Sequence, residues 1–210
     1  MSYPAVRALL WHRQVWGLCL GQFEVRSTLT FFLTWFPSDL ITARHIGWIT
    51  AGLLAVLPYA AGFFGVLAAR WWSDRLLSRT GSLTFARKAP VIAGLVVATG
   101  IVAANWVQSN DLIVLILATA LIAQAMSGSS WAVIPEIAPP GQLGLIGGIF
   151  NTSGNLAGIV TPLVIGGILQ ISGSFVGALY FVGLVALAGA AAWVFVVGPI
   201  RPLEQAHRGP

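Results

Sequence analysis

Long apolar runs, broken by short polar or proline-rich stretches, set the pattern of this chain. Six runs stand out, near 15–37, 47–71, 89–107, 112–134, 144–169 and 174–198. The breaks read "SDLITARHIG", "SDRLLSRTGSLTFARK", "QSND", "PEIAPPGQ" and "ISGS". A bilayer core about 30 Å thick takes roughly 20 apolar residues per helix. The pattern therefore predicts an all-α, polytopic membrane protein with six transmembrane helices. Residues 1–14 form a lead-in, 15–198 the bundle and 199–210 a tail.

The first run departs from the pattern. "GQFEVRSTLTFFLTWFP" (Gly21 to Pro37) carries Gln22, Glu24 and Arg26 within an otherwise apolar stretch. A span that begins near Val15 puts these residues about 10–17 Å in, close to the midplane. Gln22 and Arg26 are four apart and share a helix face, whereas Glu24 points roughly the other way. A polar or charged group at that depth is costly, and by default it marks a functional site. Glu24 is expected to be a packing partner rather than a proton site.

Composition leaves lipid as the solvent. Of 210 residues 57% are hydrophobic and 8% charged, with a mean hydropathy of +0.86. A soluble domain carries about 25% charged residues. The net charge of +5 would suggest nucleic acid in a soluble protein. Here the basic residues flank the runs, and none form the aromatic-interleaved cluster a single-strand binder needs. Arg7 and Arg13 precede the first run. Arg70, Arg75, Arg79, Arg87 and Lys88 flank the second connection, and Arg201 and Arg208 lie in the tail. With six spans all of these share one side, and Arg44 lies on the other. The positive-inside rule then puts both termini in the cytoplasm and the chain in the cell (inner) membrane. Trp11, Trp16, Trp35, Trp48, Trp71, Trp72, Trp106 and Trp193 fall near predicted span ends, as interfacial anchors do. Trp131 lies inside the fourth run instead.

Chemistry by catalysis is excluded by scarcity. Cys19 is the only cysteine, and His12, His45 and His207 are scattered, so no metal site or disulfide is expected. No nucleophile, base or paired-carboxylate set can be assembled, which argues against an enzyme and against a bound cofactor. The start of the chain has no short apolar core of the secretory-signal type. Gly154-x-x-x-Gly158 in the fifth run is a small-xxx-small pair that lets helices approach, and Pro162 is expected to bend that helix. Asn155, one turn after Asn151, and Gln124 are candidates for a cavity face, with an interhelical hydrogen bond as the more frequent role of each, and Asp39, Asp111 and Glu136 read as span-end residues. No strong internal repeat is visible.

Two sets of motifs carry a resemblance. The second connection, "GFFGVLAARWWSDRLLSRTG", resembles the cytoplasmic loop signature of the major facilitator superfamily, roughly G-x-x-x-D-R-x-x-x-R. Asp74, Arg75 and Arg79 would then form a conformational latch, with Asp74 near a helix end meeting basic groups and a helix dipole. "WGLCLGQ", "FFLTWFP", "SLTFARKAP", "SSWAV", "FNTSGNLAGIVTP" and "GSFVGALYFVG" together resemble the anion:cation symporter family, in particular its glucarate/galactarate and galactonate permeases. The likeness runs from about Val15 to Arg201 and corresponds to helices seven to twelve, the C-terminal half-bundle of the major facilitator fold.

The resemblance implies sugar-acid transport by proton symport. It assigns substrate contacts to Gln22, Ser130, Trp131 and Asn151. Arg26, a charge at membrane depth beside Gln22, reads either as an extra contact for a substrate carboxylate or as an arginine reaching a neighbouring acid, backbone carbonyl or water. Amides suit a polyhydroxy acid because they donate and accept, and an aromatic face covers its carbon chain. Glu24 and Arg26 depart from the family pattern, which has smaller or uncharged residues there. The proton-coupling acids and the main carboxylate-binding arginine are implied to lie in the N-terminal half, which becomes the expected partner beside lipid and substrate. Two other readings stay open. The chain could dimerise into a half-transporter, or it could be a non-transporting remnant or a partner of another membrane protein.

Overall fold

A computed structural model describes residue 7, residues 9–38, residue 41 and residues 47–203. The expectations for Asp39, Arg44, His45, His207 and Arg208 lie outside the described residues. Among the described residues the chain is helical throughout, with no strand.

Helix α1 covers Arg13–Thr30 and continues through a π-helical turn, Phe31–Trp35, into Phe36–Ser38. Helix α2 covers Trp48–Thr80. Helix α3 covers Leu83–Ala98 and tightens to a 3-10 stretch, Thr99–Trp106. Helix α4 covers Asn110–Ser127, tightens over Gly128–Val133 and closes with Ile134–Ile137. Helix α5 covers Leu143–Ser172, running on through Pro162. Helix α6 covers Val176–Ala191 and ends in a π-helical turn, Ala192–Val196. Among the described residues, four of the six expected spans qualify as long and apolar enough to cross a membrane: Leu83–Trp106, Asp111–Ile137, Leu143–Ser172 and Val176–Val196.

The second connection is not the long polar loop that the sequence suggests. "SDRLLSRT" simply extends α2, because nothing in it breaks a helix. The break shrinks to Gly81, which turns at φ 64° and donates its N–H to Leu77, and Ser82, whose hydroxyl accepts from the Phe85 N–H at 3.3 Å. This is a left-handed glycine cap followed at once by a serine N-cap.

Two apolar clusters fill the bundle. One, at the end where α1 starts, holds Leu18, Leu95, Ile137, Phe150 and Trp193. The other, at the far end, holds Phe31, Phe32, Ile113, Leu117 and Val182. Near the middle of α1 lies a buried polar layer that includes Glu24, Ser27, Thr28, Gln124 and Thr161. Its members are partly matched: the Thr161 hydroxyl donates to Ser27 Oγ at 2.9 Å, and Gln124 Nε2 donates to the Val25 carbonyl at 3.0 Å.

Trp193 overturns its expected role. It is 1% exposed and packs on Gly21, where the missing Cβ opens a slot that the indole fills. Trp48 and Trp106 are exposed at helix ends, as anchors require, whereas Trp71 is exposed but lies inside α2, which runs on past it to Thr80.

Candidate functional site

The site residues of α1 sort by face. Gln22 is 2% exposed and lies across Gly154 of α5. A Cβ at position 154 would stand 3.1 Å from Gln22 Nε2 and 3.2 Å from its Cγ, so only glycine leaves the amide its place without a shift. Among the described residues the buried Gln22 Oε1 has no hydrogen-bond partner. An acceptor left open in an apolar interior costs roughly 1–3 kcal/mol, a cost that a water or a ligand hydroxyl would remove.

Glu24 takes another side of α1, as its spacing requires. It is fully buried against α6, where a Cβ at Gly189 would come within 2.9 Å of its own Cβ and Cγ. Its Oε1 accepts from the Thr28 hydroxyl at 3.0 Å. Arg26, one turn after Gln22, is half-buried, as are Phe23 and Thr30. Its guanidinium forms no ion pair among the described residues, and its carbonyl accepts from the Thr30 hydroxyl at 2.8 Å.

The second group sits where α4 tightens. The run "SGSS" before Trp131 is rich in weak helix formers, and the chain takes the narrower 3-10 path there. Ser130 is buried with its hydroxyl unpartnered, and Trp131 stands out, 44% exposed. The Trp131 ring meets Phe150 of α5 edge-on, with centroids 4.8 Å apart. Asn151, the next residue, is exposed. Helix α5 thus supplies the floor under Gln22, the aromatic partner of Trp131, and Asn151 itself. Trp131 borders a space of about 460 Å³ with Arg70, Asp74 and Arg87 on its walls.

The same space holds a residue that sequence reasoning missed. Arg87 Nε donates to Glu136 Oε1 at 2.8 Å, and Arg87 Nη1 donates to Ser73 Oγ at 3.0 Å and lies 3.6 Å from Asp74 Oδ1. One guanidinium therefore joins the ends of α2, α3 and α4. Of the expected latch, Asp74 takes part through Arg87. Arg75 instead stacks over the Trp71 ring at 5.4 Å, and Arg79 is exposed at the end of α2. A charge count would have found the pair. Asp74 and Glu136 are acids on a side otherwise crowded with bases, and each needs a cation.

The structure thus gives a polar, partly unsatisfied line along α1, an exposed aromatic where α4 tightens and an exposed amide on α5. The chain is 40% identical over 200 residues to the "Probable galactarate/D-glucarate transporter GudP" of Bacillus subtilis, covering 95% of this chain and 44% of that protein. It is 40% identical over 193 residues to the "D-galactonate transporter" of Escherichia coli O6:H1, covering 92% of this chain and 45% of that protein. A "Hexuronate transporter" of Bacillus subtilis is 30% identical over 182 residues, covering 85% of this chain and 43% of that protein. No protein-family profile matches the chain. The chain is a homologue of one half of these sugar-acid transporters, and it spans about 45% of the length of the relatives it matches. It is a multi-pass membrane protein, and these relatives are named as transporters, not as enzymes.

Proposed function

We propose that this chain is the C-terminal six-helix half of a sugar-acid transporter of the major facilitator type. It would import aldarates, aldonates or hexuronates together with protons, both termini facing the cytoplasm. The supporting observation is the identity of about 40% along nearly the whole chain to transporters named for galactarate, glucarate and galactonate. The geometry fits the reading. Gln22 holds an open acceptor near the membrane midplane, where transporter substrate sites lie. Trp131 offers a ring, Asn151 an amide and Ser130 a hydroxyl, the groups that recognise hydroxyls on a short carbon chain. Arg26 supplies a cation for a carboxylate.

Alternating access rocks one half-bundle against another around such a site. The working unit is therefore this half together with an N-terminal half, on the same polypeptide or on a second one. The Arg87 link, with Asp74 and Glu136, is read as the latch at the basic end. The test is uptake of radiolabelled galactarate or galactonate in cells lacking their own sugar-acid permeases. Uptake is expected when this chain is joined to or co-expressed with an N-terminal half from a relative, and not from either half alone. In the paired transporter, Gln22→Ala, Trp131→Ala and Asn151→Ala should each cut uptake about tenfold or more, as loss of a 1–3 kcal/mol contact implies, with membrane levels unchanged. Normal uptake in all three would refute the site.

A further inference from the structure

The basic end of the bundle carries two adjoining features that the transport site does not use. The first is polar. Helix α1 opens at Arg13 with no acidic residue in its first turn, and His12 before it makes no side-chain cap. The chain returns to this point after α6. Gln14 Nε2 donates to the Pro199 carbonyl at 3.0 Å, and Lys88 Nζ donates to the Gly198 carbonyl at 3.2 Å. Between them lies a cavity of about 310 Å³ whose walls include His12, Arg13, Gly198 and Arg201. Arg13 and Lys88 meet at Gly198: a Cβ there would stand 3.2 Å from Arg13 Nη2, and its carbonyl accepts from Lys88. The described acids beside this end, Asp74 and Glu136, are both held by Arg87. Cations gathered without a counter-charge repel at a cost, and the free N–H groups of the α1 N-terminus add to the positive field.

The second feature is apolar. A groove of about 680 Å³ runs along α3, lined by Phe85, Ala89, Ile92, Ala93 and Val96, with Lys88 among its walls. From Phe85 to Val97 the helix rises about 18 Å, close to half the thickness of a bilayer core. Lys88 links the two features, since it lines the groove and its ammonium donates to the carbonyl of Gly198, a residue of the cavity wall.

A free phosphate would fill only the first space and a neutral lipid only the second. We propose that the two together bind an anionic phospholipid. The headgroup phosphate sits among Arg13, Lys88 and Arg201, and an acyl chain lies in the α3 groove. Such a lipid would tie the start of α1, the flank of α3 and the segment after α6 to the membrane surface.

Native mass spectrometry of the whole chain in detergent tests this. The probes are dioleoylphosphatidylglycerol, dioleoylphosphatidylcholine and glycerol phosphate. Phosphatidylglycerol should be retained and should displace phosphatidylcholine. At about 1 kcal/mol per surface cation, Arg201→Ala should weaken phosphatidylglycerol about fivefold and the Arg13→Ala/Arg201→Ala pair about 25-fold. Arg201 lies outside the helices, so its single variant keeps the test open if the pair misfolds. Ala93→Trp, which narrows the groove and leaves the cations, should also weaken phosphatidylglycerol. Arg79→Ala, an exposed arginine at the end of α2, should change nothing. Equal retention of the two lipids, or an equal loss in Arg79→Ala, would overturn the proposal. So would glycerol phosphate binding as tightly as the lipid, since the site would then recognise an anion without its chain.

Discussion

Arg26 is the residue at which this chain can differ most from transporters with a neutral group there. A guanidinium pairs with carboxylates in a fork and keeps its charge at any physiological pH. A substrate with a second carboxylate should gain from it, and a monocarboxylate should gain little. In the paired transporter, Arg26→Ala is expected to lower galactarate uptake about tenfold more than galactonate uptake, read as the ratio of the two initial rates. Equal losses would leave Arg26 with a structural role. Much at this scale was legible beforehand. The amide, the indole and the asparagine announce themselves by type, and the helical period correctly put Glu24 and Gln22 on different faces. Burial was not legible. That Gln22 is covered depends on Gly154, more than 100 positions away from it in the chain. Trp193 looked like an interfacial anchor for the same reason, since the slot that receives it is made by a glycine in another helix.

At the scale of helices, two contacts can be weighed. Gly189 allows α6 to close on Glu24, and a larger residue there must push the helices apart. Gly189→Val should cost about 1–3 kcal/mol, seen as a lower thermal unfolding midpoint in detergent. The Arg87 link is the second. Glu136 is only 18% exposed, and removing its partner leaves a largely buried carboxylate unpaired. Arg87→Ala is expected to destabilise by about 3 kcal/mol, and adding Glu136→Gln should restore part of the loss, the coupling being read from the double-mutant cycle. Helix identity was legible from apolar run length, but helix ends were not. Charged residues beyond the membrane boundary continue a helix as readily as apolar ones, so α2 outran its predicted span. The 3-10 stretch around Trp131 was hinted at by "SGSS", although composition alone does not say that a helix tightens rather than stops.

At the scale of the molecule, the half-bundle leaves much of α2 and α5 uncovered, with Phe63, Phe64, Leu156 and Ile159 exposed. Lipid or an N-terminal half covers such surface. Galactarate at 100 times its dissociation constant should stabilise the paired halves by about 2.7 kcal/mol, and the same concentration should leave this chain alone unchanged. Protection of the chain by itself would mean that the half-site binds without a partner. Helix α5 packs mainly on α1 and only lightly on α6. The backbone at Gly154 is where the two helices meet at Gln22, and the same helix carries Asn151 a turn away. A single codon, at a residue with no side chain, therefore sets how closely the Gln22 amide approaches the helix that carries Asn151. In the site proposed above, one change in that spacing would move Gln22 relative to Asn151 without altering either residue.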